Sequence, residues 1–225
     1  MKKIGIVAAI LQEFAPLCEK LGNPTFEERV GVFTIKKYDY DGKEIYLANS
    51  SIGEIMAASC TQYLITKYGV ELILNYGLAG SLSNAELGKT LLVKGVVHYD
   101  YDTNILDGNE VGKYDIFDSV IVETDEPMRK LVKQIYPNIE EAVCASADKF
   151  VADAKVKTYL NQTFGANVCE MESAGVLFAS KNNGVPQIII KVISDSGDNA
   201  QEFYDYVNSK NIEYVNFISE LIKKL

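Results

Sequence analysis

The chain has 225 residues, with 31 Asp and Glu against 22 Lys and Arg and a formal net charge of −9. This length is sufficient for one large domain with its own core, and no linker rich in proline, glycine or serine divides it. The basic residues are scattered and outnumbered, which argues against a nucleic-acid or anionic membrane surface and favours small-molecule chemistry.

The beginning of the chain and its cysteines indicate the compartment. The apolar segment in residues 1–9 is too short for a signal peptide, and Gln12 and Glu13 follow it at once. No window approaches a membrane span. The four cysteines lie far apart and the chain has one histidine, so neither a zinc site nor a disulfide framework is expected. We expect a reduced, cytoplasmic protein without a metal or a cofactor.

Short apolar runs alternate with helical segments along the chain. In chain order we predict strand 4–8, helix 11–21, strand 44–50, helix 54–68, strands 72–76 and 91–97, helix 127–136, strand 142–147, helices 152–160 and 173–183, strand 187–194 and helix 209–224. This alternation predicts a mostly parallel sheet covered by helices, and segment 34–40 followed by Asp41-Gly42 predicts an antiparallel hairpin. We therefore expect a mixed sheet.

Two glutamates stand one residue apart at the end of an apolar run, in Val168-Cys-Glu-Met-Glu-Ser173. Ligands of open α/β folds bind at the carboxyl ends of strands, so Glu170 and Glu172 could hold a ribose. The alternative is a pair of solvated glutamates in the first turn of a helix, where the helix dipole favours negative charge. The local pattern leaves both interpretations open.

Two further carboxylates follow predicted strands. Glu13 comes soon after the first strand, where it could face a site, although an exposed helix glutamate is the alternative. Asp195 ends the most hydrophobic strand, and apolar surroundings favour the protonated carboxyl that a general acid needs. Its alternative role is that of a helix N-cap.

Glycine-rich turns are predicted at 51–53 and 75–81, each next to an apolar run. Glycine at such places lets a ligand approach the backbone closely. Neither segment has the spacing of a dinucleotide fingerprint or a P-loop, so nucleotide phosphates are not indicated. Ordinary turns at strand ends are the alternative.

These motifs together resemble those of the nucleoside phosphorylase and nucleosidase superfamily, most closely the 5'-methylthioadenosine/S-adenosylhomocysteine nucleosidases. The resemblance spans nearly the whole chain, through segments 1–13, 51–53, 75–80, 168–173 and 192–195. It implies a single α/β domain over residues 1–225, of the three-layer nucleoside phosphorylase-like type with a central mixed sheet flanked by helices. It also implies hydrolysis of the N-glycosidic bond of adenine nucleosides.

The resemblance assigns roles by position. Glu13 would be the base that activates water, and Asp195, supported by Ser194, would protonate the purine at N7. Met171 and Glu172 would bind the ribose, with Glu170 beside them. These residue types suit the chemistry, because cleavage builds negative charge on the purine and positive charge on the sugar.

The same resemblance assigns the remaining walls of the site. Phe150 would stack on the purine, the backbone of Val151 would read its edge, and Phe203 would line the ribose and 5' side. Ile105 and Leu106, in the loop that begins at His98-Tyr-Asp, would line the 5' pocket of a neighbouring subunit. We therefore expect a homodimer, with His98 in a structural role.

The nucleophile is the point at which related enzymes differ. A phosphorylase holds phosphate with arginines, whereas this chain has only Arg29 and Arg129, outside any matching motif, so hydrolysis is favoured. Two positions depart from the nucleosidases: Leu78 replaces a serine, and Lys191 replaces an arginine and could hold water or an anion. A nucleoside phosphorylase and a weakly active nucleoside-binding member of the same fold are the alternatives.

Overall fold

The computed structural model describes residues 2–83, 85–196, 200–209 and 213–225, and ten strands and eight helices lie in these ranges. The strands are β1 (Lys3–Ala8), β2 (Phe26–Val30), β3 (Phe33–Tyr40), β4 (Lys43–Asn49), β5 (Leu72–Ser81), β6 (Thr90–His98), β7 (Val122–Glu123), β8 (Glu140–Ser146), β9 (Val168–Glu170) and β10 (Gln187–Asp195). The helices are α1 (Leu11–Leu21), α2 (Glu54–Tyr68), α3 (Asn104–Asp107), α4 (Glu126–Ile135), α5 (Ala154–Phe164), α6 (Ser173–Asn182), α7 (Ala200–Asn208) and α8 (Glu213–Lys224). None of these helices is long and apolar enough to cross a membrane.

Five strands of the single mixed sheet close into a ring. β5 pairs with β10, β10 with β6, β6 with β8, β8 with β9, and β9 returns to β5. The sheet then extends from β5 through β1, β4, β3 and β2, where β1 is parallel to both neighbours and the last three strands are antiparallel. The ring brings the ends of β5, β9 and β10 to one point.

Helices cover both faces of the extended part of the sheet. On β1, Ile4 and Ile6 pack with Leu17 of α1 and Ile218 of α8. Val7 points to the opposite face, in a cluster that includes residues of α2 and α6. Because successive side chains of a strand alternate between faces, a strand buried on both sides needs an unbroken apolar run. This requirement explains why β1 was recognisable from the sequence.

Helices α2 and α6 approach each other very closely at Gly175. A Cβ atom there would lie 2.3 Å from the backbone oxygen of Glu54, closer than any real contact. Glycine is therefore required at this crossing, and it holds the first residue of α2 against the first turn of α6. The two helices carry, at these adjoining ends, the Gly53-Glu54 turn and Glu172.

The predicted helices 11–21 and 54–68 have the bounds that the structure shows, and the α/β architecture with a mixed sheet is confirmed. The turn predicted over 75–81 was wrong, because β5 continues to Ser81 and pairs there with β9 and β10. Strand β2 was missed, since its sequence Phe-Glu-Glu-Arg-Val has no apolar run and it pairs only with β3 at the edge. The last helix was predicted from residue 209; α8 begins at Glu213, and residues 210–212 lie outside the described ranges.

Candidate active site

A cavity of about 390 Å³ lies where β1, β5, β9 and β10 end. Its walls include most residues that the sequence assigned to a site: Glu13, Leu78, Phe150, Val151, Glu170, Met171, Glu172, Ser194, Asp195 and Phe203. The register explains this convergence, because Asp195 on β10 pairs with Gly80 on β5, and Gly80 pairs with Cys169 on β9. The parallel strands β1, β5 and β10 thus bring their carboxyl ends to one edge of the sheet, where the antiparallel β9 meets the end of β5.

Glu13 is buried and fixed by backbone amides. Its side chain is 4% exposed, so the alternative of an exposed helix glutamate is wrong. Its carboxylate accepts hydrogen bonds from the amides of Ala9 (3.0 Å) and Ile10 (3.2 Å) on one oxygen and of Leu78 (2.8 Å) on the other. Burial raises the pKa of Glu13, while the Leu78 amide and the charge of Lys191 oppose the shift.

Gly77 leaves room for this carboxylate. A Cβ atom at Gly77 would lie 2.8 Å from Oε1 of Glu13, closer than side chains approach one another. The glycine of β5 is therefore explained by the close approach of a side chain across the sheet, and not by a turn. The sequence correctly indicated a close approach to the backbone at this glycine, but the segment is a strand and not the predicted turn.

The helix that carries Glu13 is held by two tyrosines. Pro16 lies inside α1 and has no amide hydrogen for the carbonyl of Gln12. The hydroxyl of Tyr214, on α8, donates to that carbonyl at 3.2 Å, and the hydroxyl of Tyr76, on β5, donates to the carbonyl of Glu13 at 2.8 Å. The backbone around Glu13 is thus fixed from both sides.

Asp195 ends β10 beside a serine that contacts it. The hydroxyl of Ser194 donates to Oδ2 of Asp195 at 2.7 Å, and both residues are buried. Asp195 is itself a strand residue in register with Gly80. Residues 197–199, which precede α7 and bear on the N-cap alternative, lie outside the described ranges.

Glu170 and Lys191 form a buried ion pair. Nζ of Lys191 lies 2.7 Å from Oε2 of Glu170, and the lysine is 1% exposed. The same carboxylate accepts from the amides of Glu172 (3.1 Å) and Ser173 (3.0 Å), at the start of α6. Burial alone would raise the pKa of Glu170, but the charge and hydrogen bond of Lys191 outweigh it and lower the pKa.

This pairing bears on two expectations, which stay predictions. Glu170 was expected to lie beside the ribose-binding pair; it lines the cavity, and its carboxylate also contacts Lys191 and the N-terminus of α6. Lys191 was expected to contact water or an anion, but it lies behind the cavity wall with Glu170 as its partner. The position of Lys191 could not be read from the Glu-Met-Glu motif, because β9 and β10 are not neighbours and meet only through the register that each has with β5.

Glu172 is buried at the cavity and is not the solvated glutamate of the alternative interpretation. Its Oε1 accepts from the amide of Gly53 at 2.9 Å. Burial and the adjacent charge of Glu170 raise the pKa of Glu172 to about 8. Two carboxylates of one motif are thus driven apart in pKa by their surroundings, a pattern typical of catalytic sites.

An aromatic wall faces the carboxylates. The rings of Phe150 and Phe203 meet edge to face, with centroids 5.7 Å apart, and Phe150 remains 46% exposed toward the cavity mouth. Val151 and Met171 line the same space. The flat face of Phe150 offers a stacking surface of the kind that aromatic ligands use.

Several predicted residues lie outside the cavity. Ile105 and Leu106, on α3, are 95% and 84% exposed. Neither arginine lines the cavity: Arg129 pairs with Glu123 and Glu141, and Arg29 lies on the edge strand β2.

Sequence reasoning also missed parts of the site. The cavity is also lined by Ile52, Lys149, Cys169 and Tyr204. In the sequence, each of these residues lies inside a noted motif or next to a predicted site residue, and nothing else distinguished them. Among the described residues, no group of three or more His, Cys, Asp and Glu side chains is arranged to hold a metal ion.

The fold and the carboxylate-lined cavity define an α/β protein that binds a small molecule at the carboxyl edge of a mixed sheet. The chain belongs to the Phosphorylase superfamily, which matches residues 3–225. It is 30% identical over 232 residues to the aminodeoxyfutalosine nucleosidase of Helicobacter pylori strain J99, with all of both chains covered. It is also 29% identical over 226 residues to the 5'-methylthioadenosine/S-adenosylhomocysteine nucleosidase of Treponema pallidum, covering 88% of this chain and 83% of that relative.

Solved structures give the same comparison in three dimensions. A futalosine hydrolase mutant of Helicobacter pylori strain 26695 superposes with a TM-score of 0.94 at 29% identity, with 100% of both chains covered. The 5'-methylthioadenosine/S-adenosylhomocysteine nucleosidase of the same species with butyl-thio-DADMe-Immucillin-A also has a TM-score of 0.94, at 30% identity, covering 100% of this chain and 99% of that one.

The Lys191–Glu170 pair leads to a prediction about stability. Lys191→Met leaves a buried carboxylate without its cation, so we expect the free energy of unfolding in urea to fall by about 3–5 kcal/mol. The double variant Lys191→Met/Glu170→Gln removes both charges and should recover much of that loss. Lys130→Met, which removes the cation of the exposed Lys130–Glu126 pair, serves as the matched control and should change stability little. A Lys191→Met variant as stable as the parent would contradict the pairing.

Proposed function

We propose that this protein hydrolyses the N-glycosidic bond of adenine nucleosides of the 5'-methylthioadenosine and S-adenosylhomocysteine type, releasing adenine and a free pentose. The observation that carries the proposal is the shared cavity. A buried carboxylate bound by amides (Glu13) and a carboxyl bound by a serine (Asp195) line the same space, together with the buried Glu172. The protein is an N-glycosyl hydrolase, in keeping with the relatives named nucleosidases.

Asp195 is assigned to the leaving group. Bond cleavage leaves electrons on the purine, and a proton delivered to N7 neutralises them. A carboxyl at the end of a buried strand is poorly solvated, and the Ser194 hydroxyl at 2.7 Å holds it in one orientation. A well-placed acid of this kind contributes roughly 100- to 10,000-fold to the rate.

Glu13 is assigned to the attacking water. Its three backbone hydrogen bonds orient the carboxylate, and burial raises its pKa toward the range in which a general base is most effective. Leu78 contributes its amide to this carboxylate and has no hydroxyl with which to hold the water itself. The orientation of the nucleophile therefore rests on Glu13.

Water is favoured over phosphate as the nucleophile by the charges of the cavity wall. Among the described lining residues the acidic side chains are Glu13, Glu170, Glu172 and Asp195, of which Glu170 is paired with the buried Lys191, and the one lining cation is Lys149. A phosphate dianion would find no pair of cations here, and neither arginine of the chain is placed to clamp it. The same negative charge stabilises the cationic ribose of a hydrolytic transition state.

The 5' group is assigned to the apolar side of the cavity, where Ile52, Phe203 and Tyr204 lie. Aminodeoxyfutalosine is a second candidate substrate, because a relative named for it matches this chain over its full length at 30% identity. Each candidate is a nucleoside with a modified 5' position, and the same acid, base and ribose contacts would serve both.

A second copy of the chain is proposed to complete the 5' pocket. Ile105 and Leu106 stand almost fully exposed on α3, where isolated apolar side chains gain nothing from water contact. Ile52, Ile55 and Met56 are also exposed, at the start of α2. Apolar side chains in two such places suit a homodimer in which α3 of one subunit closes the cavity of the other.

The proposed reaction predicts release of free adenine from 5'-methylthioadenosine in buffer without phosphate, with a free pentose as the second product, because no arginine clamp for phosphate lines the cavity. Base release from a small nucleoside panel, with and without phosphate, measures this, and aminodeoxyfutalosine belongs in the panel. An absolute need for phosphate, with ribose 1-phosphate as product, would identify a phosphorylase instead.

The assigned roles predict three different kinetic defects. Asp195→Asn should lower kcat roughly 100-fold or more, since an amide cannot donate the proton. Glu13→Gln should abolish turnover but leave nucleoside affinity largely intact, because a base acts only in the transition state. Glu172→Gln should also weaken binding. Steady-state kinetics and equilibrium binding distinguish these, and equal affinity losses for Glu13→Gln and Glu172→Gln would contradict the division of roles.

The proposed dimer predicts that Leu106→Asp selectively raises KM for nucleosides with a large apolar 5' group, because a charge replaces an apolar wall. Light scattering across a dilution series, run beside activity, gives the oligomeric state. Leu87→Asp, at another exposed leucine outside α3, is the matched control. A monomer with full activity would exclude a shared pocket.

A further inference from the structure

The only histidine of the chain lies at the centre of a charged cluster next to the cavity. His98 ends β6, and its Nε2 lies 2.8 Å from Oε2 of Glu54 and 2.8 Å from Oδ1 of Asp100. Its Nδ1 lies 2.6 Å from the hydroxyl of Tyr114. We refer to His98, Glu54, Asp100 and Tyr114 as the His98 cluster. The mechanism described above uses none of these four residues.

One side of the cluster is linked to Glu172, the carboxylate proposed to bind the ribose. Glu54 is the first residue of α2, and its amide donates to Oδ1 of Asp148 at 2.6 Å. The preceding residue, Gly53, donates its amide to Glu172 at 2.9 Å and has φ of 104°. A Cβ atom at Gly53 would also lie 2.7 Å from Oδ1 of Asp148. The Gly53-Glu54 turn is therefore held between Glu172 and the segment that leads to Phe150.

The other side of the cluster reaches the exposed loop. Asp100 is the second residue after β6, and the chain continues from it to Ile105 and Leu106 on α3. Tyr101 stacks on Tyr114 with ring centroids 3.8 Å apart. His98 thus contacts both the turn that binds Glu172 and the loop that carries the exposed apolar pair.

We propose that His98 is a positioning residue that couples loop 100–106, which in the proposed dimer closes the cavity of the other subunit, to the Gly53-Glu54 turn of its own subunit, and thereby sets how tightly the 5' part of the nucleoside is held. This role rests on the proposed function, since it concerns the 5' group of the same substrate. His98 itself touches no reacting atom. Its effect is carried by Glu54 to Gly53 and Glu172 on one side and by Asp100 on the other.

The charge state of His98 decides whether both contacts can be kept. Both carboxylates contact the same nitrogen, Nε2, which carries at most one N–H in either state, so the difference between the states is the charge. An imidazolium attracts the carboxylates of Glu54 and Asp100 together, whereas a neutral ring leaves two adjacent negative charges that repel each other. The bond to Tyr114 is available in both states, because a phenol can donate or accept. Loss of the proton therefore weakens the link between the loop and the turn.

The surroundings favour the protonated ring. Burial lowers the pKa of His98, but the hydrogen bond and charge of Glu54, with the charges of Asp100 and Asp148, outweigh it and raise the pKa above its ordinary value. The titratable and aromatic groups that face the ring are, by element, Glu54 on α2, Asp100, Tyr101 and Tyr114 in the segment after β6, Asp148 after β8, and Phe178 on α6.

The sign of the pH effect follows from that direction. A histidine whose folded pKa is raised contributes stability that is fully present below its unfolded pKa of about 6.5. This contribution is lost as the pH rises through the raised folded pKa. The loop is therefore held more firmly below the folded pKa of His98 than above it.

A single histidine makes the test direct, because the Cε1–H resonance of this protein in NMR belongs to His98 alone. The Glu13→Gln variant, which should bind nucleoside without turning it over, is titrated free, with adenine and with 5'-methylthioadenosine. By reciprocity of binding free energies, the nucleoside should raise the His98 titration midpoint, and adenine alone should not. Asp100→Asn should lower the midpoint in the free protein, whereas Asp118→Asn, which removes an exposed carboxylate outside the cluster, is the control.

Kinetics give the functional arm of the test. In the parent protein, KM for 5'-methylthioadenosine should rise about 5- to 10-fold as the pH passes through the His98 midpoint, within the usual range of coupling between sites, with little change in kcat. His98→Gln should show the high KM at every pH, and adenosine, with its small 5' hydroxyl, should respond less. The coupling is overturned if the His98 titration midpoint is the same with and without 5'-methylthioadenosine. It is also overturned if His98→Gln has the KM of the parent protein at low pH. Failure to release adenine overturns the proposed function alone, and a protein that binds no nucleoside overturns both.

Discussion

The site depends on one buried cation. Four carboxylates converge at the end of the strand ring, and Lys191 is the positive charge buried among them. A buried carboxylate without a counter-charge has a high free-energy cost, so the charge of Lys191 favours ionisation of the carboxyls near it. It lowers the pKa of Glu170 by direct contact and opposes the rise at Glu13 and Glu172. Lys191 therefore favours the ionised form of each of these three glutamates.

The backbone reaches this arrangement through the closure of the strand ring. β10 supplies both Lys191 and Asp195, and its register against β5 places Lys191 beside Gly77 and Asp195 beside Gly80. Glycine at position 77 leaves space on β5 where a side chain would collide with the carboxylate of Glu13. β10 thus provides the cation and the proposed acid, while the glycine of β5 leaves space for the carboxylate of Glu13. The pairing is geometric, and a shift of one residue would turn both groups away.

The sequence predicted the site better than it predicted the roles within it. Local motifs identified Glu13, Glu172 and Asp195, because each follows an apolar run that had to be a buried strand. They could not show that Glu170 forms an ion pair with Lys191. The two residues are 21 positions apart in sequence, and their contact depends on the strand register of the whole ring. The His98 cluster was missed for the same reason: Glu54, His98 and Tyr114 come from three separate segments, and no spacing rule connects them. Fold prediction failed where polarity concealed the edge strand β2 and where glycines imitated a turn, and the short elements β7 and α3 and the helix α7 were not predicted.

The contrast between Glu170 and Glu172 also bears on catalysis. A pKa of about 8 keeps Glu172 largely protonated at neutral pH in the empty cavity, so its charge is not fully expressed in the ground state. On the proposed function, positive charge develops on the ribose beside it as the glycosidic bond breaks, and this favours the ionised carboxylate. The attraction between Glu172 and the sugar is then greater in the transition state than in the bound substrate. Binding energy that appears only at that stage raises kcat, whereas a permanently ionised glutamate would stabilise substrate and transition state more equally.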